Sequence, residues 1–315
     1  MIPYAWLEQA NDRIGPFIQK TPLTFDAQNN LYLKWENHQV TGSFKARGAL
    51  NKILALQDWE LGRGLVTASA GNHGQGVALA GRMKQAPVIV FASDHALQNK
   101  LQAMRELGAQ IHLVRGGYGE AERAGIAYSD ETGATWISPY NDGMIIAGQG
   151  TIALEIIEEL PDPASVSWII PAGGGGLVSG IGSALQQLKP APRLIAVQSD
   201  ASSFLYQIYH HDTQEGVEEL PSIADGLAGP VEEGSVTIPI VKKYVTDFVL
   251  VTEAEIRKAI KYAWYTYHER IEGSAAASLA VVTSGQVTAK PALVVLTGGN
   301  ITAEDHAQII NDPDI

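Results

Sequence analysis

The sequence predicts an α/β protein: an open, mainly parallel sheet wrapped by helices. From Leu31 onward, short apolar runs rich in Val and Ile alternate with longer segments of helical period, the pattern of strands buried under covering helices. Glycine-rich turns repeatedly stand where a run of the first kind gives way to a segment of the second. The chain has 315 residues, of which 45% are hydrophobic and 18% charged, enough to bury a large core as one big domain or two smaller ones.

The strand candidates, in order, are Leu65-Val66-Thr67, Val88 to Phe91, Ile111 to Val114, Ser167 to Ile170, Leu194 to Val197 and Leu293 to Leu296. Each is short enough to be buried on both faces. Between them, Ala96 to Leu107 and Glu253 to His268 read as covering helices, the second opening on Thr252 as N-cap with Glu255 as its capping-box partner. His210 to Gly234 holds acidic, Gly and Pro residues but few hydrophobic ones, so it is expected to be a surface excursion.

A formal net charge of −12 argues against a nucleic-acid or anionic-membrane surface and leaves small molecules as partners. The absence of cysteine excludes disulfides, thiolate metal sites and a cysteine nucleophile. The opening Met1 to Glu8 lacks a basic region followed by an apolar stretch, and no apolar run is long enough to span a bilayer, so a cytoplasmic protein is expected.

Four segments could carry chemistry. In Thr41-Gly42-Ser43-Phe44-Lys45-Ala46-Arg47-Gly48-Ala49, Lys45 stands where a helix begins. It could be a solvated first-turn residue, but a cation is disfavoured there, which points to an anionic or covalent partner. Ser69-Ala70-Gly71-Asn72-His73-Gly74 follows a strand and leads into a helix. That is either an ordinary turn capped by Asn72 and His73 or an anion site made of N–H groups at a helix N-terminus. Pro171-Ala172-Gly173-Gly174-Gly175-Gly176-Leu177 repeats the arrangement, and four glycines permit close approach of N–H donors to a phosphate. A nicotinamide fingerprint competes, but the acidic residue it expects about 20 residues on is missing: Gln198 stands after the next strand and Asp200 lies further along. Finally, Thr297 ends an apolar strand before Gly298-Gly299-Asn300, and a buried hydroxyl there needs a partner, either a ligand or simply a nearby backbone carbonyl. Ala147 to Thr151, Ala224-Asp225-Gly226 and Ile271-Glu272-Gly273-Ser274-Ala275 could each be a cap or turn.

Taken in order, these segments resemble the tryptophan-synthase-β-like (fold type II) pyridoxal-phosphate enzymes, and within them the threonine/serine dehydratase and serine racemase branch. The resemblance runs from Thr21-Pro22-Leu23 to Asn300. It implies pyridoxal 5'-phosphate as cofactor, with Lys45 as the Schiff-base lysine, Phe44 flanking the cofactor and Asn72 bonded to the ring hydroxyl. It implies a phosphate cradle of Gly173, Gly174, Gly175, Gly176 and Leu177, with Gly226 beside the cofactor, Glu272 near the ring and Thr297 at the pyridine nitrogen. Ser69, Ala70, Gly71, Asn72 and His73 match the loop for the substrate carboxylate, and Lys45 and Ser69 the catalytic positions. The family fold places a smaller α/β domain inside a large one, here residues 41–141 within 1–40 and 142–315, with the cofactor in the cleft between them. The resemblance also implies an amino-acid substrate and a homodimer.

The activity implied is elimination of ammonia from a β-hydroxy amino acid, L-threonine or L-serine, to give a 2-oxo acid; the alternatives are serine or hydroxyaspartate racemization and dehydration of 3-hydroxyaspartate or phenylserine. Lys45 would remove the α-proton while the ring takes the electrons. A neutral Thr297 hydroxyl, unlike a carboxylate, would leave the pyridine nitrogen unprotonated, favouring elimination over transamination. Where racemases of the family carry a second serine as acid on the opposite face, this chain has Ala70, which favours the dehydratase. Where some members carry an acidic metal ligand, it has Gln198 with only Asp200 nearby, so no divalent-metal site is expected there and at most a monovalent ion on backbone carbonyls. Only 15 residues follow Asn300, so an appended regulatory domain is not expected. A carrier or sensor that binds without turnover, and a nicotinamide enzyme, are the rival classes. Around the substrate side chain, Tyr140 either narrows the pocket or only packs.

Overall fold

A computed structural model describes residues Met1–Ile315. Ten strands form two sheets: β1 (Leu23–Asp26), β2 (Leu31–Trp35), β3 (Leu65–Ala68), β4 (Val88–Ser93), β5 (Gln110–Val114), β6 (Thr135–Trp136), β7 (Ser167–Pro171), β8 (Leu194–Ser199), β9 (Asp247–Val251) and β10 (Ala292–Leu296). One sheet has six strands in the order β1-β2-β10-β7-β8-β9; the other has four in the order β5-β4-β3-β6. Every pairing is parallel except β1 with β2, as the sequence pattern predicts.

The six-stranded sheet is apolar on both faces because its middle strands are. Trp168, Ile170, Leu293 and Val295 join the core on one side. Their neighbours Ile169, Ile195, Val294 and Leu296 join the core on the other, with the Gly273–Thr283 helix. Alternation along each strand thus fills two layers at once, each fully buried side chain contributing roughly 1.5–3 kcal/mol.

All six strand candidates form, but Ile111 to Val114 departs from the expected double burial. It belongs to β5, the edge of the smaller sheet, and Leu113 is 49% exposed. An apolar run at an edge meets a neighbour on one side only. Four strands, β1, β2, β6 and β9, lie outside the candidates; Asp26 ends β1, Lys34 interrupts β2, Asp247 opens β9, and β6 is only two residues long. Thr252 caps the Glu253–Tyr267 helix as expected, with the reciprocal bond from Glu255. No helix is long and apolar enough to cross a membrane.

The Lys45–Leu54 helix is held where it packs against the Gly143–Glu159 helix. A Cβ on Gly148 would lie 2.7 Å from both Arg47 O and Gly48 Cα, so only glycine allows the two backbones to come this close. Charge reinforces the seam. Arg47, fully buried, donates to both oxygens of Glu36 at 2.8 Å and to Glu155 Oε1 at 2.6 Å. Lys34 donates to Glu155 Oε2 at 2.7 Å and to Thr21 O at 2.8 Å. Two cations face two carboxylates here, and each ion stays charged in the interior because its partners are fixed.

Candidate active site

A cavity of about 300 Å³ opens beyond the carboxyl ends of β3, β7 and β10, and every residue the sequence marks as a site residue lines it. Ligand sites of open α/β sheets occur at such strand ends. A broader depression of about 440 Å³ lies elsewhere, lined by Phe17, Val40, Leu79 and Met83, and contains neither Lys45 nor a glycine loop.

Lys45 is the first residue of its helix, and the chain just before it is stitched to the end of β10. Phe44 N–H donates to Thr297 O at 3.0 Å, Gly299 N–H donates to Gly42 O at 3.0 Å, and Ser43 bridges Gly298. The Lys45 Nζ donates to Pro139 O at 3.0 Å and sits 5.3 Å from the centroid of the Phe44 ring. Burial pushes the amine down to about 8, against the pull of the Glu272 charge. A lysine held this way reaches its nucleophilic free-base form far more readily than a surface lysine.

Two helix N-termini face the amine. In the first loop, Gly71 N–H turns back to Ser69 Oγ at 3.1 Å, while the N–H groups of Ala70, Asn72 and His73 find no acceptor in the protein. Asn72 does not cap its helix. Its Nδ2 donates to Glu272 Oε1 at 2.6 Å and its Oδ1 accepts from Asn300 Nδ2 at 2.7 Å, while Asn300 N–H donates to Glu272 Oε2 at 3.2 Å. Burial, then the nearby Asp225 charge, raises Glu272 to about 7.

The His73 ring is turned away from an anion-binding role. Burial and then the Lys45 charge press its pKa down to about 3, so the ring is neutral. Its Nε2 lies 3.1 Å from Ile137 O and must carry the proton to donate there. Nδ1 is then an acceptor, buried and without a partner. A carboxylate is not welcome at that atom, and an anion here must use the loop's N–H groups.

In the second loop, the N–H groups of Gly173, Gly174, Gly175, Gly176 and Leu177 have no acceptor in the protein. The loop is pinned from behind by Thr237 Oγ1, which donates to Gly174 O at 2.8 Å, and Gly175 adopts φ +87°. The Gly176–Leu185 helix adds the positive end of its dipole. Five unclaimed donors converging at a helix start fit a phosphate. Tyr140 limits the space: a Cβ on Gly174 would lie 2.4 Å from its ring. The Tyr140 hydroxyl accepts from Glu232 N–H at 2.8 Å, so this side chain both lines the cavity and is anchored.

The stretch from His210 to Gly234 is largely exposed up to Pro221, as expected of a surface excursion, but part of it forms a wall of the cavity. Glu219, Asp225, Gly226, Leu227, Ala228, Gly229 and Pro230 all line it, and Ala224, Leu227 and Val231 are buried. Beyond His211 the segment has only one 3-10 turn, Asp225–Leu227, and is held by side chains rather than a ladder. Gly226 N–H donates to Ser274 Oγ at 2.9 Å and Ile223 N–H to Glu253 Oε2 at 2.9 Å.

Lys100 and Tyr118 also line the cavity and were not anticipated. Lys100 sits on the polar side of an amphipathic helix, Gln98–Glu106, where nothing local separates a ligand-facing lysine from a solvated one; its partner Asp225 is 125 residues away. Gln198 is buried and engaged, its Oε1 accepting from Tyr206 N–H at 3.0 Å and its Nε2 donating to Leu227 O at 3.4 Å. No group of three or more His, Asp or Glu side chains is placed to hold a metal ion.

Comparison with known proteins agrees with this geometry. A family model described as pyridoxal-phosphate dependent enzyme matches residues 14–298. The chain is 39% identical over 288 residues to an L-threonine ammonia-lyase of Thermotoga maritima, covering 90% of this chain and 71% of that protein. It is 38% identical over 293 residues to the catabolic L-threonine dehydratase of Staphylococcus aureus, covering 90% and 83%. Maize serine racemase superposes with a TM-score of 0.90 at 29% identity, over 98% of this chain and 96% of that one.

Proposed function

Because the chain belongs to the pyridoxal-phosphate-dependent enzyme family, we propose that it is an ammonia-lyase converting L-threonine or L-serine to a 2-oxo acid and ammonia, with Lys45 as the cofactor-bearing amine. The observation that carries this reading is the placement of Lys45, buried, free of any ion pair and depressed to about 8, between two loops of unclaimed N–H donors. Bound pyridoxal phosphate supplies a carbonyl for the amine and a ring that accepts the electrons left when the α-proton departs.

The residues would then divide the work. Gly173 to Leu177 hold the phosphate, with Gly226 closing the side opposite Tyr140 and Phe44 flanking the ring. Asn72 would offer its remaining N–H to the ring hydroxyl, Glu272 would stand beside the ring, and Thr297 would offer a neutral hydroxyl to the ring nitrogen. Ser69 and the N–H groups of Ala70 to His73 hold the substrate carboxylate. The Lys45 amine would be placed to take the α-proton of the bound substrate. The small domain would comprise residues 41–141, since β3 to β6 lie within it and the other strands outside it. A cytoplasmic homodimer is proposed on the resemblance alone.

Racemization is the second reading, favoured by the fold likeness to maize serine racemase. Ala70 opposes it: its methyl group can give no proton to the second face. Incubating the loaded protein with stereoisomers of serine, threonine, 3-hydroxyaspartate and phenylserine, and measuring 2-oxo acid, ammonium and enantiomer ratio, separates the two. We expect pyruvate from L-serine and 2-oxobutyrate from L-threonine. D-serine formed rapidly from L-serine without pyruvate would overturn the lyase reading.

A further inference from the structure

We propose that Lys100 is the counter-charge for the substrate α-carboxylate, holding it over the Ala70 to His73 N–H groups, and that Asp225 competes with the substrate for that ammonium. This rests on the amino-acid-lyase reading above and adds to it a residue outside the carboxylate loop.

The placement of the Lys100 side chain is the first support. Its stem crosses the carboxylate loop, so that a Cβ on Gly71 would lie 3.4 Å from Lys100 Cδ and 3.9 Å from Nζ. The side chain is only 12% exposed, so the ammonium is directed into the cavity rather than into solvent. The charge inventory is the second. Among the residues lining the cavity, the cations are Lys45 and Lys100; His73 is neutral, and Lys45 is reserved for the cofactor. An amino acid brings a carboxylate into this partly desolvated space, where a charge-assisted hydrogen bond is far stronger than a bond to N–H groups alone.

Asp225 is the third. It is the ion partner of Lys100, yet its side chain is 55% exposed and rides on the unladdered wall segment. Burial opposes the charge on Lys100, and Asp225, followed by Glu272 and Asp305, together more than offset it, so the ammonium is kept charged until a second carboxylate arrives. An exposed carboxylate loses little by returning to water, which makes it displaceable.

The test compares Lys100→Gln, Lys100→Arg and Asp225→Asn in the loaded protein. Binding of glycine, which has no β-hydroxyl to eliminate, is measured by calorimetry, together with KM and kcat for L-serine, L-threonine and 3-hydroxyaspartate. We expect Lys100→Gln to weaken glycine and raise KM for all three substrates by about tenfold or more with a much smaller change in kcat. Lys100→Arg should recover most of the loss, and Asp225→Asn should tighten glycine and lower KM. If Lys100 and Asp225 form only a latch, both removals shift binding in the same direction, which overturns the proposal. An effect of Lys100→Gln confined to 3-hydroxyaspartate overturns it too, assigning the lysine to a side-chain carboxylate. A wild-type protein that binds no glycine refutes the lyase reading and this inference with it, whereas normal glycine binding unchanged in Lys100→Gln refutes this inference alone.

Discussion

Asn72 donates to Glu272 Oε1 at 2.6 Å, tying the helix that follows β3 to the helix that follows the Ile271-Glu272 turn. Glu272 is buried and raised from 4.5 to about 7, so the folded chain binds its proton more tightly than the unfolded chain does. The stability this contributes is complete below about pH 4.5 and is lost as pH rises through about 7. Cofactor-free protein should therefore lose about 3 kcal/mol relative to Glu272→Gln across that window, read as urea midpoints at a series of pH values. A difference independent of pH would contradict the assignment.

Lys45 should set the pH dependence of cofactor capture. With its amine at about 8, the capture rate is expected to rise close to tenfold per pH unit below that value and to level off above it. Stopped-flow absorbance follows the reaction. Lys45→Ala should show no lysine-linked visible band and lose at least about a thousandfold in kcat.

The buried charges behind that lysine should be far more costly to disturb than those on the surface. Arg47→Met leaves Glu36 without an ion partner in the interior and Glu155 with Lys34 alone, and should destabilise the protein by about 3–5 kcal/mol. Lys20→Ala breaks a pair with Glu158 whose side chains are 53% and 73% exposed and should cost less than about 1 kcal/mol. Chemical denaturation of the two variants makes the comparison.

Gly174→Ala drives a methyl group to 2.4 Å from the Tyr140 ring. Either the ring or the loop must yield, and cofactor affinity is expected to fall about tenfold or more, as measured by fluorescence titration. The double variant Gly174→Ala/Tyr140→Ala should recover much of that loss, because the two positions are in contact and their effects do not add.

Ala70→Ser restores a hydroxyl on the face opposite Lys45. It should bring measurable D-serine from L-serine by chiral chromatography, with pyruvate formation retained. If no D-serine appears, Ala70 is not what separates the two activities.

The parts of the site legible in the sequence are those whose requirement is local. Four successive glycines, or a Ser-Ala-Gly-Asn-His turn after a strand, declare a need for free N–H groups within a few residues. Lys100 and Tyr118 declare nothing, and Asp225 declares no more than a turn, since their roles depend on where a distant loop lands. The same limit applies to the wall. Residues 210–234 are sparse in hydrophobics and largely exposed, yet Ala224, Leu227 and Val231 bury one part of the segment where Ser274 and Glu253 supply its hydrogen bonds. Burial on one face or two, the error at β5, is likewise decided by the order of strands, which an apolar run does not encode.

The seam at Gly48 and Gly148 gives the molecule an immovable anchor and a replaceable wall. The reactive amine hangs from a helix whose position is fixed by backbone contact and interior charge, whereas one wall of the cavity is an irregular loop fastened at a few points. Selectivity can therefore be rewritten in residues 228–230, with Asp225 and Gly226 kept, without retuning the amine. Exchanging those residues among relatives should alter which amino acid is accepted while leaving cofactor capture as it was.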